Sequence, residues 1–289
     1  MKLDYTNLQH TNNQHTIPRC YLENFSDDGI NIYTKTKTNH VSDDVLKKEL
    51  DKPKPLKKAT VIDNFYTVKS GSQPMAVETI FYAYFIEATY PSLYKLLIDP
   101  ERKIITEEER EQMLRFFLSL FLRTPKQFKT FFDWIPKEYE HEMEFIKEDH
   151  KAAHLAKFLP PFMEAHEFKQ FRVMKIVDNY EFFTSDNPVI LIGNNGEIKS
   201  HIYEEWFNHR NKLVVPIDTK HCLVMINTSS ADGVDLDGYV YVNVIDRIDI
   251  DISIAQSVNI MTLGSGDKYF FGSKNFITAF FSFFKLKAQ

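Results

Sequence analysis

The sequence predicts an α+β fold: a helical middle third, with a mixed or antiparallel sheet built mainly from the C-terminal half plus an N-terminal extended segment. Three observations predict it. Residues 74–168 carry long apolar and amphipathic stretches bounded by prolines. After residue 168 the texture changes to short β-branched and aromatic runs separated by Asp/Asn turns. Ahead of both, the turn pair Asp28-Gly29 leads into Ile30, Ile32 and Tyr33, a strand signal.

The elements follow in order. Residues 14–40 read as extended. Ser42 suits the N-cap of a short helix reaching Leu50. Lys52, Lys54, Lys57 and Lys58, interleaved with Pro53 and Pro55, read as a solvated loop, with a phosphate-contacting arm as the alternative. Pro74 stands near the start of a helix running to about Leu97, where proline is tolerated. Thr106 caps a helix that opens with Glu107, Glu108 and Glu109, acids that suit the positive end of the helix dipole. That helix is apolar nearly all round from Phe116 to Leu122, as in a buried central helix. Pro125 disfavours helical geometry at Thr124, so the helix ends near Arg123. Lys137–Phe158 reads as a third, more polar helix, closed by Pro160-Pro161.

Strands are expected at Phe171–Val177, Tyr180–Thr184, Val189–Ile192, Lys212–Pro216 and Cys222–Ile226. Residues 244–264 read both ways. Ile248, Ile250, Ile252 and Ile254 alternate with polar residues at strand period, whereas Ala255–Leu263 has helical spacing. Residues 276–286 form a closing aromatic helix or strand. The whole reads as one domain, 1–289, made of the N-terminal segment (14–40), the helical region (74–168), the sheet region (169–275) and the aromatic element (276–286).

Composition narrows the class further. Of 289 residues, 25 are Phe and 14 Tyr against only 9 Gly, which excludes a collagen-like, linker-like or broadly disordered chain. Six Phe fall in residues 116–132 and seven in 270–284, so the aromatic excess marks two segments. Lys plus Arg is 35 against 40 Asp plus Glu, a net charge of −5, which argues mildly against a nucleic-acid binder of basic character without excluding a local patch. Cys20 and Cys222 make neither a disulfide framework nor a zinc knuckle and fit a reducing compartment. Met1–Asn13 has no apolar signal region, and the apolar runs Phe116–Leu122 and Phe276–Phe284 are too short to span a bilayer. The expectation is a cytoplasmic protein with no membrane partner. No Walker loop, dinucleotide-binding glycine pattern or nucleophile elbow is present, and no cofactor or metal is expected.

One stretch is denser in signal than the rest: Gln14-His15-Thr16-Ile17-Pro18-Arg19-Cys20-Tyr21-Leu22-Glu23-Asn24-Phe25. Asn64-Phe65-Tyr66, Arg123-Thr124-Pro125, Thr184-Ser185-Asp186-Asn187-Pro188-Val189, Val215-Pro216-Ile217 and Asn259 follow it in order. Together they resemble a bacterial and phage domain-of-unknown-function family, number 4238, over residues 14–275. Cys20 and Thr16 depart from the bulkier residues of that pattern. The resemblance implies residues to weigh and supplies no reaction.

His15 is the first of these, because imidazole serves as base, acid or ligand near neutrality. The bland alternative is a histidine that pins the N-terminal segment to a backbone group. Arg19 lies four residues on; in an extended chain both share a face, and together they can hold a phosphate or carboxylate. Arg123, at the end of the apolar helix, cannot shed its charge and needs a partner, as a structural ion pair or as an anion clamp. Glu78 and Glu87 are nine residues apart, about half a turn out of phase on an α-helix, so they are expected on opposite faces. Glu87 shares a stripe with Ile80, Ala83 and Tyr84 and is the expected partner of Arg123 or His15. Asp186 and Asn187, before Pro188, form either a plain turn or a functional loop between strands. His150 with His154, and Asp246, Asp249 and Asp251, of which the last two share a strand face, are weak metal patterns and are discounted.

Two functions stay open. One is an enzyme acting on a phosphate-containing substrate, a nucleotide or nucleic acid. There His15, Asp186 and Glu87 act as acid, base or orienting group, and Arg19, Arg123 and Asn187 hold the anion. The other is a non-enzymatic binding or regulatory protein, associated with defence or a prophage, in which the same residues form a structural polar network. In the second, the Phe-rich segment 276–284 is either core or an association surface for a second copy.

Overall fold

The structure is a computed structural model that describes residues 13–37, 53–69, 72–134, 155–227 and 243–287, with side chains as far as Ser282. The expected helix at Ser42–Leu50, most of that at Lys137–Phe158, the pair His150 and His154, and Lys52 lie outside the described residues. Among the described residues are seven α-helices and eleven strands in mixed sheets, an α+β fold.

The N-terminal segment is extended for three residues only, β1 (Asn13–His15), before Pro18 turns it into the short helix α1 (Arg19–Leu22). The Asp28 carboxylate accepts the Ile30 and Asn31 N–H groups, and Gly29 takes φ +68°, which a side chain disfavours. The chain thereby swings into β2 (Asn31–Thr36). Next come β3 (Lys54–Pro55), a 3-10 turn at Leu56–Lys58, and β4 (Val61–Asp63), which pairs antiparallel with β1.

The helix expected from Pro74 to Leu97 is three pieces. Val77–Tyr84 is a π-helix, Glu87–Thr89 a 3-10 turn, and Tyr90–Ile98 an α-helix, α2. α3 (Glu107–Leu122) starts with a capping box in which Thr106 Oγ1 accepts the Glu109 N–H at 3.1 Å and Glu109 accepts the Thr106 N–H at 2.8 Å. Every residue from Phe116 to Leu122 is buried, as the all-round apolar pattern predicts. Pro125 opens α4 (Pro125–Trp134), where its missing N–H costs nothing. α5 (Leu159–Ala165) then packs on α3, with Phe162 5.3 Å from Phe121.

The C-terminal half supplies most of the strands: β5 (Lys169–Ile176), β6 (Thr184–Ser185), β7 (Ile190–Ile192), β8 (Lys212–Pro216), β9 (His221–Asn227) and β10 (Ile245–Ile250). Helix α6 (Ile252–Ser265), strand β11 (Tyr269–Gly272) and helix α7 (Lys274–Lys287) close the chain. Five strands form one sheet in the order β10-β5-β9-β8-β7, in which only the β10–β5 pair is parallel. Alternation splits its side chains between two cores. Phe171, Val173, Leu213, Val215, Leu223 and Met225 face α3, whereas Met174, Ile176, Val214, Cys222 and Val224 pack with Ala255 and Val258 of α6. Both faces are covered, which is why these strands read as nearly continuous apolar runs. A second sheet, β3-β2-β11-β6, ties the N-terminal segment to the C-terminal half.

Residues 244–264 resolve into both readings with the boundary displaced. The strand stops at Ile250, and Asp251 accepts the Ser253 and Ile254 N–H groups as the N-cap of α6. Asp249 and Asp251 therefore share no strand face, and Asp246 pairs with Arg172 at 2.6 Å. In the described part of the aromatic closing element, Ile277 and Phe280 are buried against Phe183 and Phe270. No helix among the described residues is long and apolar enough to cross a membrane.

Candidate functional site

Arg123 is the C-cap of α3, and its side chain is fully enclosed. The guanidinium donates from Nη1 to Glu87 Oε1 and from Nη2 to the His15 carbonyl, both at 2.6 Å, and lies 4.2 Å over the Tyr82 ring. Glu78 Oε2 stands 4.0 Å from Nη2. The Tyr66 hydroxyl donates to the Arg123 carbonyl at 2.7 Å. Burial works against the charge on Arg123, but Glu87, Tyr66, Glu78 and Tyr82 outweigh it and hold the proton more tightly than usual.

Helical arithmetic puts Glu78 on the face opposite Glu87, and the structure corrects this. The Val77–Tyr84 segment closes i→i+5 bonds, so each turn takes more residues, and the chain breaks at Phe85-Ile86 before Glu87. Nine residues then bring both carboxylates to the same guanidinium. Glu78 is the residue that sequence reasoning missed, and nothing in an apolar stretch distinguishes a π-turn from an α-turn. Burial pushes its carboxyl up; Arg123 opposes, the Glu87 charge adds, and the outcome is about 7. Glu78 Oε2 and Arg123 Nε are buried with no hydrogen-bond partner.

His15 is half-buried beside them. Its Nδ1 lies 3.0 Å from the Ala59 carbonyl, which can only accept, so Nδ1 carries the hydrogen and Nε2 the lone pair of the neutral ring. Burial holds the ring's pKa below its usual value, against the Ala59 bond and the Glu87 charge. Gln14, next in β1, is buried: its Oε1 accepts the Tyr66 N–H and its Nε2 donates to Thr67 Oγ1 at 2.8 Å. The blocks Gln14-His15, Asn64-Phe65-Tyr66 and Arg123-Thr124 thus meet in space. Cys20 adjoins the cluster, but burial raises its thiol to about 12, so it is inert as a thiolate.

The other three candidates go elsewhere. Arg19 does not share an extended face with His15, because the backbone turns at Pro18 and Arg19 begins α1; it is exposed and pairs with Glu23 at 2.8 Å. Asp186 does not orient His15. Its carboxylate accepts the N–H groups of Asp267, Lys268 and Tyr269 at 2.8–3.0 Å, setting the start of β11. Burial raises its pKa, and these three bonds counter the rise. Asn187 is completely buried and joins no anion site. Its Oδ1 takes Thr124 Oγ1 at 3.1 Å and Gln127 Nε2 at 3.3 Å, and its Nδ2 donates to Ser265. Among the described residues no group of three or more His, Cys, Asp or Glu is arranged to hold a metal ion.

Fold and site define an α+β protein organised on a buried arginine bracketed by two glutamates and a histidine. A family model described as a protein of unknown function, DUF4238, matches residues 13–275, and the chain belongs to that family. No curated protein and no solved structure matches it.

Proposed function

We propose that this chain is a cytoplasmic enzyme that hydrolyses a phosphate-containing substrate, a nucleotide or nucleic acid, with Glu78 and His15 as its acid and base. Glu78 carries the reading: a carboxyl with pKa about 7 beside a second carboxylate that Arg123 holds in place. A carboxyl that burial keeps largely protonated near neutrality is suited to give a proton. His15 Nε2 takes a proton from water as the water oxygen bonds phosphorus, and Glu78 gives its proton to the leaving oxygen as the old P–O bond breaks. Arg123 is enclosed and touches no substrate; it is a positioning residue for Glu87 and the His15 backbone. Phosphate contacts fall instead to Arg19, Lys57 and Lys58. All three are exposed, α1 packs against the Leu56–Lys58 turn, and Ala59 next to it holds His15.

The test is turnover of nucleoside phosphates, single-stranded DNA and RNA by the wild type, His15→Gln and Glu78→Gln, with thermal melting alongside. Expected is cleavage of one class by the wild type and a loss on the order of 100-fold in each variant without loss of folding. Full activity in both variants, or no cleavage of any substrate, overturns it. A second reading, a non-enzymatic binding or regulatory protein, draws support from the complete enclosure of the Arg123 side chain. It predicts that both variants lose folded stability and that no phosphate substrate is turned over.

A further inference from the structure

The basic stretch formed by β3 and the turn after it lies beside an aromatic ring. Lys54, in β3, sits with its ammonium 4.8 Å from the centroid of the Tyr269 ring, and Lys268 reaches the same ring at 5.0 Å. Lys54 and Lys268 are exposed, and Tyr269 at the start of β11 is half-exposed. Single-stranded nucleic acids use such a ring by stacking a base on its face, here displacing an ammonium from it, and by setting phosphates on the lysines so freed. Two acids, Asp186 and Asp267, stand beside Lys268 and act on its charge. The Asp186 carboxylate is taken up by three backbone N–H groups, which leaves Asp267 as the exposed one beside Lys268.

From this ring the cations continue toward His15. Lys57 and Lys58 are exposed on the turn that follows β3, and Ala59 then bonds the His15 ring. Ala59 is five residues on from Lys54, so the two lie within about 18 Å. Arg19, on the helix packed against that turn, is held only by a solvent-exposed ion pair with Glu23, a weak bond that a phosphate can displace.

We infer that the substrate is single-stranded nucleic acid, with a base stacked on Tyr269 and its backbone laid along Lys268, Lys54, Lys57, Lys58 and Arg19 toward His15. This rests on the acid–base reading of the site above and names its substrate class. Single strands are favoured over duplex because only an unpaired base can offer its face to the ring.

The experiment is fluorescence anisotropy with labelled oligothymidylate and oligouridylate of about twelve nucleotides, within the usual span of one such site. A duplex of the same length and a nucleoside triphosphate serve as competitors. Expected is binding that weakens on the order of 10-fold in Tyr269→Ala and in Lys54→Ala/Lys268→Ala, the double variant also flattening the salt dependence by about two charges. Lys175→Ala, an exposed lysine on the five-stranded sheet, and Tyr269→Phe bind as the wild type does. The surface double variant keeps the test meaningful if Tyr269→Ala misfolds. Unchanged binding in the double variant, or duplex competing as well as single strand, overturns the inference. Nucleotides cleaved without oligonucleotide binding sink it while leaving the acid–base site standing. Oligonucleotides bound as expected but cleaved equally by His15→Gln and Glu78→Gln sink the acid–base site and leave the surface standing.

Discussion

Arg123 and Thr124 are neighbours in the chain, yet their side chains enter two polar centres of opposite character. Arg123 joins ionisable groups, Glu87, Glu78 and His15, and the cluster leaves Arg123 Nε and Glu78 Oε2 without hydrogen-bond partners. Thr124 joins Asn187, Gln127 and Ser265, neutral side chains in which both ends of the Asn187 amide are engaged, with the Lys126 ammonium at its edge donating to the Ser265 carbonyl at 2.6 Å. A network of neutral side chains fixes geometry and has no proton to exchange, even though Gln127 Oε1 is left without a hydrogen-bond partner. A charged one with spare valence is costlier to bury and retains the means for chemistry. The difference assigns the second centre to the fold and makes the first the place to look for turnover.

The largest effect that can break this contrast is removal of the guanidinium. Arg123→Met leaves Glu87 and Glu78 beside an apolar chain and is expected to cost about 3–5 kcal/mol, the usual range for breaking a buried pair. Urea unfolding measures it. Arg123→Met/Glu87→Leu, which removes both charges, is expected to recover part of that loss. A double variant no better than the single one shows that the guanidinium acts through packing on Tyr82 and not through its charge.

The next effect is pH-dependent and is the part of the slope that Glu78→Gln removes. Its pKa rises from 4.5 to about 7 on folding, so between those values the folded chain holds a proton that the unfolded chain has lost. Stability from this group is complete below pH 4.5 and disappears as pH climbs toward 7, by about 3 kcal/mol in all. Urea midpoints between pH 4 and 8 for the wild type and Glu78→Gln check it. The variant is expected to lack this slope and to be the more stable of the two near pH 8. Parallel slopes place Glu78 in solvent-like surroundings and remove the proton donor from the proposed mechanism.

Asn187→Ala sharpens the other side. It takes the partner from the Gln127 amide and one bond each from Thr124 and Ser265, which keep others, at an expected cost of about 1–3 kcal/mol that does not change with pH. A pH-dependent loss, read from the same urea series, contradicts the assignment of this centre as neutral.

Much of this arrangement was legible beforehand, and the gaps have physical causes. The buried central helix and its end near Arg123 follow from an all-round apolar pattern and Pro125, both local signals. Glu87 as a partner for Arg123 follows from the need of a buried guanidinium for a counter-charge. Glu78 is hidden because arithmetic on residue spacing assumes α-geometry, whereas Val77–Tyr84 is a π-helix with more residues per turn. The register at Asp251 failed for a related reason: alternating Ile residues continue past the strand, and one N-cap bond decides where the helix begins. The parallel β10–β5 pair is a long-range choice that no local pattern encodes.

The smallest expected effect is the one that separates function from fold most cleanly. Arg19 belongs to neither centre; it lies in the solvent on α1, paired with Glu23. Exposed pairs of this kind contribute little, so Arg19→Ala is expected to shift stability by no more than about 0.5 kcal/mol. If Arg19 contacts phosphate at the mouth of the His15 cluster, the same variant raises KM for the substrate several-fold with kcat nearly unchanged, since a phosphate held equally in ground and transition states affects binding alone. A melting temperature that falls by more than a few degrees makes Arg19 part of the scaffold. An unchanged KM leaves it a surface residue and moves the path of the substrate away from α1.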